Sequence, residues 1–246
     1  MKISALLFDV NGTLIDIETD EWMEEAYRAI AHFLTYQGIN LHRGEVRNLY
    51  FQIMKEQFAT SSEVYPEFDV VAVWREVLRR YGTEYTRSLG AEKLRQMPLF
   101  IAELQRGISR KRLLAFPQTE ILAQLKTRHR LAVVSDAQSA YGLPELRAVG
   151  LADYFAPIVI SGDYGYRKPD VRLFKAALTE LRVRPEEAIY IGNDRFRDVH
   201  GARQAGMKTI LFCPHGNPGG PPETEPDYLL YQYADLPRAI QFFAAR

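Results

Sequence analysis

Two rhythms of apolar residues divide this chain. From Asp20 to about Arg110 they recur at helical spacing. One stripe holds Trp22, Ala26, Ile30, Phe33 and Leu34, and a second holds Val46, Leu49, Tyr50, Ile53, Met54 and Phe58. A third runs through Val70, Trp74, Val77, Leu78 and Tyr81. A fourth runs through Leu94, Met97, Ile101, Leu104 and Ile108, where Pro98 should kink or split the helix. The stripes predict the inner faces of a small helical bundle. From Leu113 onward short β-rich runs alternate with amphipathic helices. The runs are Leu131–Val134, Pro157–Ile160, Ala188–Ile191, Thr209–Phe212 and Tyr228–Leu230. The predicted helices are Thr119–Lys126, Pro144–Val149, Val171–Leu181 and Asp198–Ala205. Such alternation implies βαβ units and an α/β fold with a Rossmann-like parallel sheet. Ile3–Phe8 then becomes the first strand. Residues 1–16 and 113–246 form the α/β core, and 17–112 an inserted α-helical domain.

Composition narrows the classes. The 246 residues carry 31 Lys+Arg and 31 Asp+Glu, so the formal net charge is zero and bulk attraction to nucleic acid or anionic membrane is not expected. Hydrophobic residues make up 47%, enough for a buried core. Cys213 is the one cysteine, so no disulfide can form within the chain and a reducing, cytoplasmic setting is expected. The opening MKISALLFD meets an acid too soon for a signal peptide, and no apolar run is long enough to span a bilayer. His215–Pro226, HGNPGGPPETEP, reads as a surface loop.

The segment ISALLFDVNGTLI, Ile3–Ile15, carries the first chemistry. Alone, Asn11-Gly12 between two apolar runs is a hairpin signal, because both residues tolerate positive φ. A parallel sheet changes that reading, since ligands bind beyond the carboxyl ends of its strands. Asp9 and Asn11 follow the first run. Ser135 and Asp136 follow the second. Ser161, Gly162 and Asp163 follow the third, with Lys168-Pro169 nearby. Gly192, Asn193, Asp194 and then Asp198 follow the fourth. Taken singly each has a plainer role: Asp9 or Ser135 as a turn cap, Lys168 as a solvated lysine, Asp194 and Asp198 as an acidic first helical turn. Together they supply carboxylates, a hydroxyl and an amine for handling a phosphoryl group with a divalent cation.

In that order the segments LLFDVNGTL, LAVVSDAQ, GYRKPD and AIYIGNDRFRDVHGARQAGM resemble the four signature blocks of the haloacid dehalogenase superfamily of hydrolases, in its helical-cap, phosphatase-type branch. The resemblance implies Asp9 as a nucleophile that forms an aspartyl-phosphate. It implies Ser135, with Asp136 beside it, and backbone N–H groups near Asn11, Gly12 and Thr13 as phosphate ligands, and Lys168 as the charge facing Asp9 and the phosphate. It also implies Mg²⁺ held by Asp9, the Asn11 carbonyl, Asn193 or Asp194, and Asp198. The implied substrate is a small phosphorylated metabolite, chosen by residues of the cap. Trp22, Tyr27, Tyr50 and Trp74 are cap candidates by size alone, with core packing the expected role of most.

Two departures stand out. Family phosphatases usually carry an aspartate two residues after the nucleophile, which protonates the leaving group and then activates water. Asn11 cannot shuttle that proton. General acid–base help is typically worth about 10²–10⁴-fold, so slow turnover of alkyl phosphates is expected, with aryl and acyl phosphates suffering less. The dehalogenase branch has a tyrosine there, which is also absent. The second departure is Asn193, where an aspartate usually follows the glycine, so weaker Mg²⁺ binding is expected. Two other readings follow: a catalytically impaired binder of phospho-ligands or proteins, and, with less support, a 2-haloacid dehalogenase. Asn11-Gly12 is also a deamidation candidate, because glycine shields its neighbour poorly.

Overall fold

The computed structural model describes residues 2–217 and 219–245. Its strands are β1 Ala5–Phe8, β2 Ile15–Thr19, β3 Arg110–Ala115, β4 Arg130–Ser135, β5 Ile158–Ile160, β6 Ala188–Gly192, β7 Lys208–Phe212 and β8 Tyr228–Leu230. The described residues divide into two compact units, one running up to Asp16 and resuming at Leu113, the other Ile17–Arg112.

In the first unit six strands form a sheet in the order β5-β4-β1-β6-β7-β8, and every pairing is parallel. β1 is central, with Phe8 in register with Val133 of β4 and Ile191 of β6. The inner strands are buried over most of their length, which is why their runs are largely apolar. The unit's helices are α6 Ile121–Lys126, α7 Ser139–Ala148, α8 Val171–Leu181, α9 Gly201–Gln204 and α10 Leu236–Ala244, numbered after five in the other unit. Leu7, Val134, Leu173, Phe174, Ala177 and Tyr190 share one buried cluster between the sheet and α8. The chain leaves β1 for β4 and β5 on one side and returns to β6, β7 and β8 on the other. That reversal opens a crevice at the carboxyl ends of β1, β4 and β6.

The second unit is built from α1 Glu24–Tyr36, α2 Arg43–Thr60, α3 Val70–Tyr81, α4 Glu84–Ser88 and α5 Ala91–Ser109. Asp69 caps α3 by accepting from the Ala72 N–H at 3.0 Å. Trp74 is wholly buried, and its indole N–H donates to Gln105 Oε1 at 3.1 Å, the partner a buried indole needs. Tyr27 and Tyr50 pack in the same interior, whereas Trp22 precedes α1, is 63% exposed and stacks on Phe51 at 4.2 Å. So Trp22 leaves the stripe predicted for it.

Other boundaries moved as well. α5 runs unbroken through Pro98, whose ring is buried beside Met97. α7 starts five residues before Pro144. Asp198–Ala205 begins instead as a π-helical turn, Arg195–His200, that passes into α9. The paired strands β2 and β3, a separate two-stranded sheet, and the short helix α4 had no predicted counterpart. Among the described residues no helix is long and apolar enough to cross a membrane.

Leu7 is fully buried in the central strand. Leu7→Ala leaves a cavity in the sheet, and a loss of about 2–5 kcal/mol is expected. Urea unfolding should show a lower midpoint with an unchanged slope.

Candidate active site

β1 ends at Asp9, whose own N–H still donates to Ile191 of β6 at 2.9 Å. The sheet thereby delivers this carboxylate into the crevice, where it is only 5% exposed. The next residues form a turn, not a hairpin. The N–H groups of Leu14 and Ile15 both donate to the Val10 carbonyl at 2.9 Å, and Gly12 takes φ +79°. Glycine is required there twice over: an L side chain would be strained at that φ, and its Cβ would lie 2.4 Å from the Asn193 amide. The turn also spends donors. Gly12 N–H goes to Ile15 O at 2.8 Å and Thr13 N–H to Val10 O at 3.2 Å. Two of the backbone groups expected to cradle phosphate, those of Gly12 and Thr13, therefore serve the turn itself. The same bond opposes deamidation, since succinimide formation needs the Gly12 nitrogen to attack the Asn11 side chain.

Asp9 Oδ1 collects the positive side of the site. Ser135, the last residue of β4, donates its hydroxyl at 3.1 Å, and Lys168 donates from Nζ at 2.7 Å. Lys168 is 3% exposed and also donates to Asp198 Oδ1 at 2.6 Å and to the Tyr190 hydroxyl at 3.0 Å. The ammonium has three N–H bonds, and all three are used. Burial works against its charge, but Asp198 and Asp9 outweigh that and hold Lys168 protonated, well above the ordinary lysine range. Burial raises Asp198, with Lys168 pulling the other way and Asp9 adding to the rise. Both Asp198 oxygens are engaged: Oδ1 by Lys168 and Oδ2 by the Asp194 N–H at 2.8 Å. Gly192 makes room for it, since a Cβ there would meet the Asp198 carboxylate at 2.4 Å. Asp198, expected as a metal ligand, lies against the Lys168 ammonium at 2.6 Å as a counter-ion. Asp136 Oδ1 accepts the Lys168 backbone N–H at 2.9 Å, which fixes the lysine's loop.

Asp9 Oδ2 faces a different neighbour. The Asn193 amide faces both this oxygen and the Asn11 carbonyl: with its nitrogen inward it would donate to the Asn11 carbonyl at 3.2 Å and to Asp9 Oδ2 at 3.3 Å. Turned over, it would place a third oxygen at those same distances. Adjacent oxygens around Mg²⁺, at about 2.1 Å from the metal, are roughly 3 Å apart, so the corner fits a small hard cation after slight contraction. Among the described residues no group of three or more His, Cys, Asp or Glu is placed to hold a metal. The converging oxygens here are one carboxylate, one backbone carbonyl and one amide. Asp194 is not brought to this corner. It caps the following turn by accepting from Phe196 N–H at 2.9 Å and Arg197 N–H at 2.7 Å, and it pairs with the Arg197 guanidinium. Burial opposes its ionisation, but these bonds win and Asp194 lies below the ordinary carboxylate range. The Asn11 side-chain oxygen is buried without a hydrogen-bond partner.

Two tyrosines support the site without having been expected there. Tyr190 lies in β6, and its hydroxyl donates to the Val134 carbonyl at 2.7 Å. Tyr233 donates to the Thr13 carbonyl at 3.0 Å and so ties down the turn after Asp9. A tyrosine inside a run otherwise rich in Ile and Ala was the available signal, because a buried phenol needs a partner. His215 is exposed in the loop after β7, which Arg195 secures by donating to Asn217 Oδ1 at 2.7 Å.

A family model described as haloacid dehalogenase-like hydrolase matches residues 6–212. The chain is 28% identical over 214 residues to the glyceraldehyde 3-phosphate phosphatase of Methanothermobacter thermautotrophicus, covering 85% of each protein. It is 33% identical over 168 residues to the phosphoserine phosphatase of Thermus thermophilus, covering 66% of this chain and 65% of that one. Its fold is similar to the crystal structure of a 2-haloacid dehalogenase from Pseudomonas syringae pv. Tomato, with TM-score 0.72, 23% identity, and 98% and 99% of the two chains covered.

Lys168→Met should destabilise the protein by about 3–5 kcal/mol near pH 7, because it leaves two buried carboxylates without their cation. The deficit should narrow on acidification. A carboxyl whose folded pKa is raised gains stability as pH falls through that value toward the unfolded one, about 3.9. Urea unfolding across this range checks it; a deficit independent of pH would place its origin elsewhere.

Proposed function

Because this chain belongs to the haloacid dehalogenase-like hydrolases, we propose that it is a Mg²⁺-dependent phosphatase acting on a small phosphate ester or anhydride. The observation that carries this reading is the division of labour on Asp9. Oδ1 receives Ser135 and Lys168, and Oδ2 faces the oxygens of the Asn11–Asn193 corner. The relatives named as phosphatases support it.

Asp9 Oδ1 attacks phosphorus, an O–P bond forms to the carboxylate, and the bond to the leaving oxygen breaks. Ser135 and Lys168 are already beside the attacking oxygen, so they meet the phosphoryl oxygens as charge gathers on them. Mg²⁺ would be held by Asp9 Oδ2, the Asn11 carbonyl and the Asn193 amide oxygen, and would neutralise phosphate charge. With one carboxylate in that set, binding is weak. Asn11 brings no proton to the leaving oxygen and takes none from the water that later releases Asp9. The chain therefore favours leaving groups that depart without protonation, such as phenolates and carboxylates.

The second reading, an impaired relative that binds a phosphorylated ligand, draws on the same two amides, Asn11 and Asn193. One pair of assays separates them. Wild type with Mg²⁺ should hydrolyse p-nitrophenyl phosphate and an acyl phosphate, and EDTA and Asp9→Asn should each abolish this. No turnover across a broad phosphate panel sinks the phosphatase reading.

Asn11→Asp restores the missing acid. It should raise turnover of alkyl phosphates by about 10²–10⁴-fold and of p-nitrophenyl phosphate far less. An equal effect on both substrates would mean that proton transfer is not what Asn11 lacks.

A further inference from the structure

We propose that Tyr190 is a positioning residue that fixes Lys168 on Asp9 Oδ1. This deepens the phosphatase reading and rests on it for the role given to Lys168. The hydroxyl has one proton, and the nearer acceptor takes it: Val134 O at 2.7 Å, against Asp198 Oδ1 at 3.3 Å. Its lone pairs are then free for Lys168 Nζ at 3.0 Å. A bond chain runs from the carbonyl before Ser135, through the phenol, to the ammonium. Packing alone does not call for that hydroxyl. The ring sits edge-on against Phe174, with centroids 5.0 Å apart, and phenylalanine would fill the same space.

The phenol decides where the ammonium sits. Its three N–H bonds point at Asp9, Asp198 and Tyr190, three fixed acceptors. Without the third, one N–H of a buried cation has no partner, which is costly. The ammonium then shifts within its cage, and its contact with Asp9 loosens. When Asp9 takes up a phosphoryl group and its charge changes, Asp198 and Tyr190 keep Lys168 in place. Tyr190 touches neither substrate nor Asp9, so its effect belongs in the chemical step and not in substrate binding.

The test uses the full-length protein with Tyr190→Phe, read in two independent ways. In steady-state assays kcat should fall roughly tenfold while KM stays within about twofold. In proton–nitrogen NMR of ¹⁵Nζ-lysine, wild type should show a slowly exchanging ammonium signal, assigned by its loss in Lys168→Met, and Tyr190→Phe should speed its exchange with water. Unchanged kcat together with unchanged exchange overturns the proposal, and so does a rise in KM alone. If Tyr190→Phe does not fold, site-specific 3-fluorotyrosine at 190 keeps ring and hydroxyl but weakens the oxygen as an acceptor. A drop of a few fold in kcat with faster exchange supports the role, and no change refutes it. Should wild type hydrolyse no phosphate at all, the phosphatase reading fails while the NMR measurement still judges Tyr190.

Discussion

A lysine ammonium shut away from water keeps its charge only if anions surround it at close range. Lys168 has Asp9 at 2.7 Å and Asp198 at 2.6 Å, and the site is organised around that requirement. The three residues come from the end of β1, the loop before α8 and the π-helical turn after β6. None could hold its charge there without the others, because an isolated buried ion is costly. The pairing between β1 and β6 brings two of them to one level, and Asp136 anchors the loop of the third. The parallel sheet and the charge cluster therefore specify each other: a register slip between β1 and β6 would strand a bare carboxylate in the interior.

Much of this was legible in the chain because its signals were local. Apolar runs ending in polar residues marked the carboxyl ends of β1, β4 and β6, and the shift from helical to alternating rhythm fell near Leu113, where the units divide. Other features depended on packing. Pro98 looks like a helix breaker, yet its ring is buried in α5, so the surrounding contacts outweigh one lost hydrogen bond. β2 and β3 are short, charged and largely accessible, so they lack the pattern that betrays a buried strand.

The site followed the same division. Sequence named Asp9, Ser135, Lys168 and Asp198 as neighbours, and the fold brings their side chains into hydrogen-bonding distance. It left Asn193 and Asp194 open as alternatives, because adjacent polar residues after a strand differ only in the direction each faces. The turn resolves this. Asp194 is drawn to the unpaired N–H groups at the start of the π-helical segment, and that leaves Asn193 toward the corner. Tyr190 lies inside a predicted strand run and Tyr233 outside every predicted element, and both rings are buried. Only their hydroxyl partners, separated by 56 and 220 positions, reveal the second task.

What separates this corner from a fully acidic one is its charge. Asp9 and Asp198 are the carboxylates, Lys168 offsets one, and the positions beside Oδ2 are amides. An amide can do what a carboxylate cannot: with its nitrogen inward it would donate to Asp9 Oδ2 and to the Asn11 carbonyl. Two or three carboxylates at these distances would repel one another, so such a corner needs its metal or protons to relax. The two asparagines differ from carboxylates in different ways: an amide at Asn193 carries no charge toward Asp9, and an amide at Asn11 carries no transferable acid proton. Together the two amides leave Asp9 as the one carboxylate at the corner beside Oδ2.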